Sequence, residues 1–184
     1  VLSAQEAVQS AEDELKQLGS EIRNTKETLL VLLGWNYNDS PVIGELPELD
    51  MSRIDSMDPE KDLNQALENN YTLKINRRKL ENAKSQTTSD SLKTAIANNE
   101  KQIGASLSSA YKSVLSARIT YQQALTQAQL EETNTQIAAG KLQAGMMTRL
   151  EYEKQVHARD NSQITSKTAA LSLMTAMENY QWAV

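Results

Sequence analysis

After Pro59 the chain runs for 125 residues without another proline, and between Ser91 and Gly140 its only glycine is Gly104. Proline removes a helix donor and clashes with the preceding turn, so this spacing predicts one very long helix over residues 91–142. Its apolar seam runs through Ile103, Leu107, Ala110, Val114, Ala117, Tyr121, Ala124, Ala128, Ala138 and Leu142, with Glu131 and Thr135 as polar interruptions. Alanine recurs along it, which requires a closely approaching partner helix. Gly140 and Gly145 flank a turn at 143–148, and Thr148 with Glu151 three residues later has the spacing of a capping box. A returning helix is expected over 149–182, with Leu150, Val156, Ile164, Ala170, Leu171, Met174 and Met177 as its apolar positions.

The first 34 residues carry the cleanest periodicity. Val1, Val8, Leu15, Ile22 and Leu29 fall seven apart, and Ala4, Ala11, Leu18, Thr25 and Leu32 follow each by three. This is an a/d heptad seam, expected to form a helix of about 50 Å that winds on a partner. Gly34 supplies its stop. Residues 35–59 break the pattern with Asn36, Asn38, Asp39, Pro41, Gly44, Pro47 and Pro59 and read as a connector. Within it Val42, Ile43 and Leu46 suit a short extended piece. Asp58, Pro59 and Glu60 read as an N-cap, a first helical proline and a first-turn acid. The helix they open is expected over 60–84 with a bend at Asn69 and Asn70. The polar string from Ser85 to Asp90 reads as a turn at 85–90 with a fresh N-cap at Ser89 or Asp90.

Composition narrows the function classes. Aromatic residues make up 4% of the chain and Phe is absent, which favours thin helix pairs over a thick core. A net charge of -5 argues against nucleic acid, and the Arg77-Arg78-Lys79 triplet reads as a solvated helix surface. With no cysteine, disulfides and thiolate metal sites are excluded. The densest apolar run, Leu29 to Leu33, is far shorter than the roughly 20 residues a bilayer-spanning helix needs. There is no initiator Met and no charged-then-apolar leader, as expected of a mature product or an excised fragment.

Few residues invite chemistry. His157, the only histidine, lies between Glu153 and Asp160 at helical spacing. Such a trio is conceivable as a metal site, but a single histidine on a helix is far more often an ordinary surface group, so no metal, cofactor or catalytic residue is assigned. No serine has a nucleophile-elbow context, and an enzyme is not expected. Trp35 and Trp182 close their helical patterns and are expected to pack where helices meet the connector. Gln122, Gln123, Gln127, Gln129 and Gln136 suit either a water-filled lumen or plain solvent.

Four local patterns resemble the outer-membrane efflux proteins typified by TolC. They are the helix end from Leu29 to Gly34, similar to a repeat-closing Leu-Leu-Gly; the segment from Leu63 to Asn70, similar to the opening of a second repeat; Ala110-Tyr111 with Val114, Leu115 and Ala117; and the segment from Gly145 to Tyr152, similar to the family's hairpin tip. Their order and spacing cover most of the chain. The resemblance implies an all-α fold of long antiparallel hairpins, part of a helical barrel, with residues 1–34 one arm of a first hairpin and 60–184 a second repeat. It implies an extracytoplasmic duct component, homotrimeric in full-length form, that docks a periplasmic adaptor, or membrane-fusion protein, of an efflux pump. The docking residues would be Ala144, Gly145, Met146, Met147, Thr148, Arg149 and Leu150. Members that insert in an outer membrane carry paired strands in each repeat. Here the six or seven polar residues between Ala83 and Asp90 leave no room for two strands of about 9 to 11 residues. Either the barrel has been removed or the chain comes from a relative that never spans the membrane. An adaptor-type or structural coiled-coil scaffold is the alternative.

Overall fold

A computed structural model describes all residues except Val1, Tyr37, Ile43, Glu45 and Leu46, and gives only the backbone of Leu2, Ser3 and Ala4. The protein is all-α, with no strand among the described residues. The helices are α1 (Leu2–Leu32), α2 (Ser52–Asp55), α3 (Pro59–Asn69), α4 (Tyr71–Glu81), α5 (Gln86–Gln143) and α6 (Arg149–Ala183). Among the described residues no helix is long and apolar enough to cross a membrane. The chain divides into two units, Val1–Pro47 and Glu48–Val184.

The first unit is α1 and the connector after it. The helix ends in a Schellman turn: the Gly34 amide donates to the Val31 carbonyl at 3.0 Å and the Trp35 amide to the Leu30 carbonyl at 2.9 Å. Gly34 holds φ 74°, a left-handed conformation that glycine adopts without a Cβ penalty. The heptad stripe from Val8 to Leu32 is largely exposed, and among the described residues of this unit the one buried side chain, Leu30, lies off it. Val42 is exposed; the rest of the extended piece, Ile43 and Leu46, lies outside the described residues.

In the second unit α5 is the spine. Its 58 residues span about 87 Å at 1.5 Å per residue. α6 runs antiparallel along its C-terminal part, and α3 and α4 pack on its N-terminal part. α3 begins where the sequence places it: the Asp58 carboxylate accepts from the Glu60 and Lys61 amides at 3.1 and 3.3 Å, with Pro59 opening the helix. The Asn70 side chain accepts from the Leu73 amide at 3.0 Å, capping α4 and bending the chain between the two helices.

The turn expected at 85–90 is corrected. α4 stops at Glu81, and α5 begins at Gln86, so the Ser89 and Asp90 caps are not used. Ser85 is extended, and its hydroxyl accepts from the Thr88 amide at 3.2 Å. Once that cap forms, Asp90 becomes a helix-surface residue paired with Lys93 at 3.6 Å.

The core gathers where α6 ends and α3 takes over as the partner of α5. Ile54, Ala66, Leu107, Val114, Leu173, Met177 and Tyr180 are its buried members. Tyr111 and Tyr180 pack with ring centroids 5.9 Å apart. Every position of the expected α5 seam is buried or half-buried. The expected α6 seam is partly wrong: Leu150, Ile164 and Leu171 are exposed, and the buried positions are Ala169, Leu173, Met177 and Tyr180. Trp182 is 87% exposed and Trp35 is also exposed, so neither acts as the expected packing anchor; Tyr180 fills that role on α6.

Candidate functional site

The tip between α5 and α6 is built by two opposed end signals. At the close of α5 the Gly145 amide donates to the Leu142 carbonyl at 3.0 Å and the Met146 amide to the Lys141 carbonyl at 2.8 Å, a second Schellman turn, with Gly145 at φ 70°. At the start of α6 the Thr148 hydroxyl accepts from the Glu151 amide at 3.3 Å. The Glu151 carboxylate accepts from the Thr148 amide and hydroxyl, both at 2.8 Å. These bonds hold the Glu151 carboxyl below its ordinary range, the backbone amide of Thr148 contributing most. A depressed carboxylate stabilises the fold above its unfolded pKa, so this part of the cap is present at neutral pH and lost as pH falls through the acidic range. Removing the hydroxyl, Thr148→Ala, is expected to cost about 1 kcal/mol in denaturant unfolding; no loss of stability would mean the cap is dispensable.

The structure brings the expected tip residues together on one end of the hairpin. Ala144, Gly145, Met146, Thr148, Arg149 and Leu150 are exposed, and Arg149 pairs with Glu153 at 2.9 Å. Met147 is half-buried, so only Met146 of the two methionines projects fully. A Cβ placed on Gly145 would meet nothing within 4 Å. The glycine is therefore required by its backbone angle, and the space around it is open.

Below the tip the two helices are joined by polar contacts that the sequence shows only as interruptions of the α5 seam. Gln155 donates to the Glu131 carboxylate at 2.7 Å, and so does Gln127. The buried Thr135 hydroxyl donates to the Glu131 carbonyl at 2.7 Å and lies 3.4 Å from the Gln155 carbonyl. Arg159 adds a longer contact of 3.9 Å to Glu132. A polar pair in an otherwise apolar seam fixes register, because a slipped alignment strands its buried groups. The clamp thus sets how the two arms are aligned and where the tip projects. Glu131 and Thr135 carried a signal, being polar at seam positions; Gln155 carried none.

His157 and Glu153 are exposed and Asp160 is taken by Arg159 at 2.7 Å. Among the described residues no group of three or more His, Cys, Asp or Glu is placed to hold a metal. Compared with protein-family models, curated proteins and solved structures, the chain matches none of them.

Proposed function

We propose that this chain forms a wall segment of an export duct and docks an adaptor, or membrane-fusion, protein of an efflux pump through the α5–α6 tip. It contributes no chemistry of its own, and the partner pump drives transport. In full-length form the duct is a homotrimer in the cell envelope. The observation that carries the reading is the tip itself: Met146 at 78% and Leu150 at 62% exposure project from a turn fixed on both sides. A flexible thioether beside an aliphatic side chain on a pre-organised end suits a helical-hairpin partner, since little ordering is required on binding. The similarity of the segment from Gly145 to Tyr152 to the efflux-protein hairpin tip supplies the identity of that partner.

The test is capture of the chain by immobilised adaptor hairpins. Met146→Asp puts a charge in the contact without touching the core, and is expected to weaken capture by roughly 30-fold, the loss of a central interface anchor. Leu150→Asp, also at the exposed tip, should act similarly, with helix content by circular dichroism unchanged. Undiminished capture of both variants would sink the docking role. A chain that binds no adaptor hairpin at all would favour the coiled-coil scaffold.

A further inference from the structure

We infer that the Met146 thioether is an oxidation site at which a peroxide reversibly turns the α5–α6 tip from a docking surface into a non-docking one. The inference rests on the docking role given above and adds its regulation. Of the six methionines in the chain, Met146 alone is exposed, at 78%. Met51, Met57, Met147 and Met174 are half-buried, and Met177 lies in the core at 2%. Oxidation of a thioether depends on the access of the oxidant to sulfur, so a dilute dose separates Met146 from the other five. Met147 is the internal reference, since it shares the turn and differs in its burial.

The step is a two-electron oxygen transfer. A sulfur lone pair attacks one peroxide oxygen, and an S–O bond forms as the O–O bond breaks. The departing hydroxide takes the proton left on the transferred oxygen and becomes water. Sulfur is thereby oxidised to the sulfoxide and the peroxide reduced. A thiol-dependent sulfoxide reductase reverses the change: two thiols become a disulfide and the oxygen leaves as water. The sulfoxide oxygen puts a strong hydrogen-bond acceptor on what was an apolar side chain, and covering it without a donor opposes docking. The fold does not depend on that sulfur. The Met146 amide donates to the Lys141 carbonyl at 2.8 Å, Gly145 sets the turn at φ 70°, and the Thr148–Glu151 capping box starts α6. None of these uses the thioether. Met177 is the opposite case, because an oxygen there would enter the core cluster that holds Leu173 and Tyr180. Docking covers the Met146 sulfur, so oxidation acts on free tips and controls assembly.

The test treats the full chain with dilute hydrogen peroxide, removes the oxidant and measures capture by untreated, immobilised adaptor hairpins. Peptide mass spectrometry should find one oxygen added at Met146 with the other five methionines unmodified, while helix content and the urea midpoint stay the same. Capture should fall about tenfold and return after treatment with a methionine sulfoxide reductase. Each variant is compared with itself before and after peroxide: Met147→Leu should lose capture as the natural chain does, and Met146→Leu should lose none further. Oxidation that falls first on another methionine overturns the inference, as does a sulfoxide at Met146 that leaves capture unchanged. An equal loss in Met146→Leu overturns it too, because the sensitive group would then lie elsewhere. In all three cases the untreated chain is still captured and the docking role stands. An untreated chain that is not captured at all sinks the docking role and the switch together, so the two failures are told apart.

Discussion

Replacing Leu173 with alanine is expected to destabilise the helical core by about 2–5 kcal/mol, while Leu171→Ala, two residues away on the same helix, should change stability by about 0.5 kcal/mol or less. Leu173 is 0% exposed and belongs to the core with Leu107, Val114 and Met177; Leu171 is 42% exposed. Truncating Leu173 removes contacts on every side and leaves a cavity that two long helices, clamped at the tip end by Glu131 and Gln155, cannot easily close. Truncating Leu171 removes area that already faces water. Urea unfolding followed by helix circular dichroism measures both. If Leu171→Ala were the costlier change, the packed face of α6 would be the stripe through Leu150, Ile164 and Leu171, and the observed core would be wrong.

That pair of leucines also shows what was legible in the sequence and what was not. The α5 seam was readable because small and apolar residues recur along it at heptad spacing over most of the helix, whereas Leu115, Ile119, Leu130 and Ile137, exposed off the seam, form no comparable run. On α6 two stripes compete. Leu150, Ile164 and Leu171 are separated by multiples of seven and are uniformly aliphatic, whereas the stripe actually used mixes Ala169 with Leu173, Met177 and Tyr180. Only the approach of α5 decides between them, through the Tyr111–Tyr180 packing and the polar clamp, and neither is encoded in the periodicity of α6 itself. The helix ends divide in the same way. Gly34, Asp58, Gly145 and the Thr148–Glu151 pair were readable since each satisfies a specific backbone need within a few residues. The start of α5 was not, because Ser85, Thr87, Thr88, Ser89 and Asp90 can all cap, and the choice of Ser85 follows from where α4 stops. The tip was legible as a turn with caps, but the half-burial of Met147 depends on how the two arms close over it.

Tyr180→Phe is expected to cost about 1.5–3 kcal/mol at neutral pH, the range for a hydrogen bond to a charged group. The Tyr180 hydroxyl donates to the Asp62 carboxylate, which also accepts from the Asp58 amide at 3.3 Å. The variant keeps the ring against Tyr111 and deletes only this bond, leaving a half-buried carboxylate short of a donor. Its effect on alkaline stability follows from burial first, then from the hydrogen bond to Asp62 and the negative charge of that carboxylate. All three push the phenol above its ordinary value of 10.0. A proton held more tightly in the fold than in the unfolded chain stabilises fully below the unfolded pKa, and that contribution is lost as pH rises above it. The stability gap between the natural chain and Tyr180→Phe should therefore be constant from about pH 7 to 9 and narrow above roughly pH 10. The remaining tyrosines and the lysines, common to both proteins, largely cancel in that difference. A gap that stays constant through the alkaline range would mean that the phenol ionises no differently in the folded and unfolded chains. The consequence is architectural, since four contacts, Tyr180 to Asp62, Arg53 to both Glu178 and Gln181, and Asn69 to the Val184 carbonyl, tie the end of α6 to α2 and α3. They fix the point at which α5 exchanges one helical partner for the next. Loosening Tyr180 should thus fray the last turns of α6 while the capped tip at Gly145 stays formed, a separation that amide hydrogen exchange can resolve.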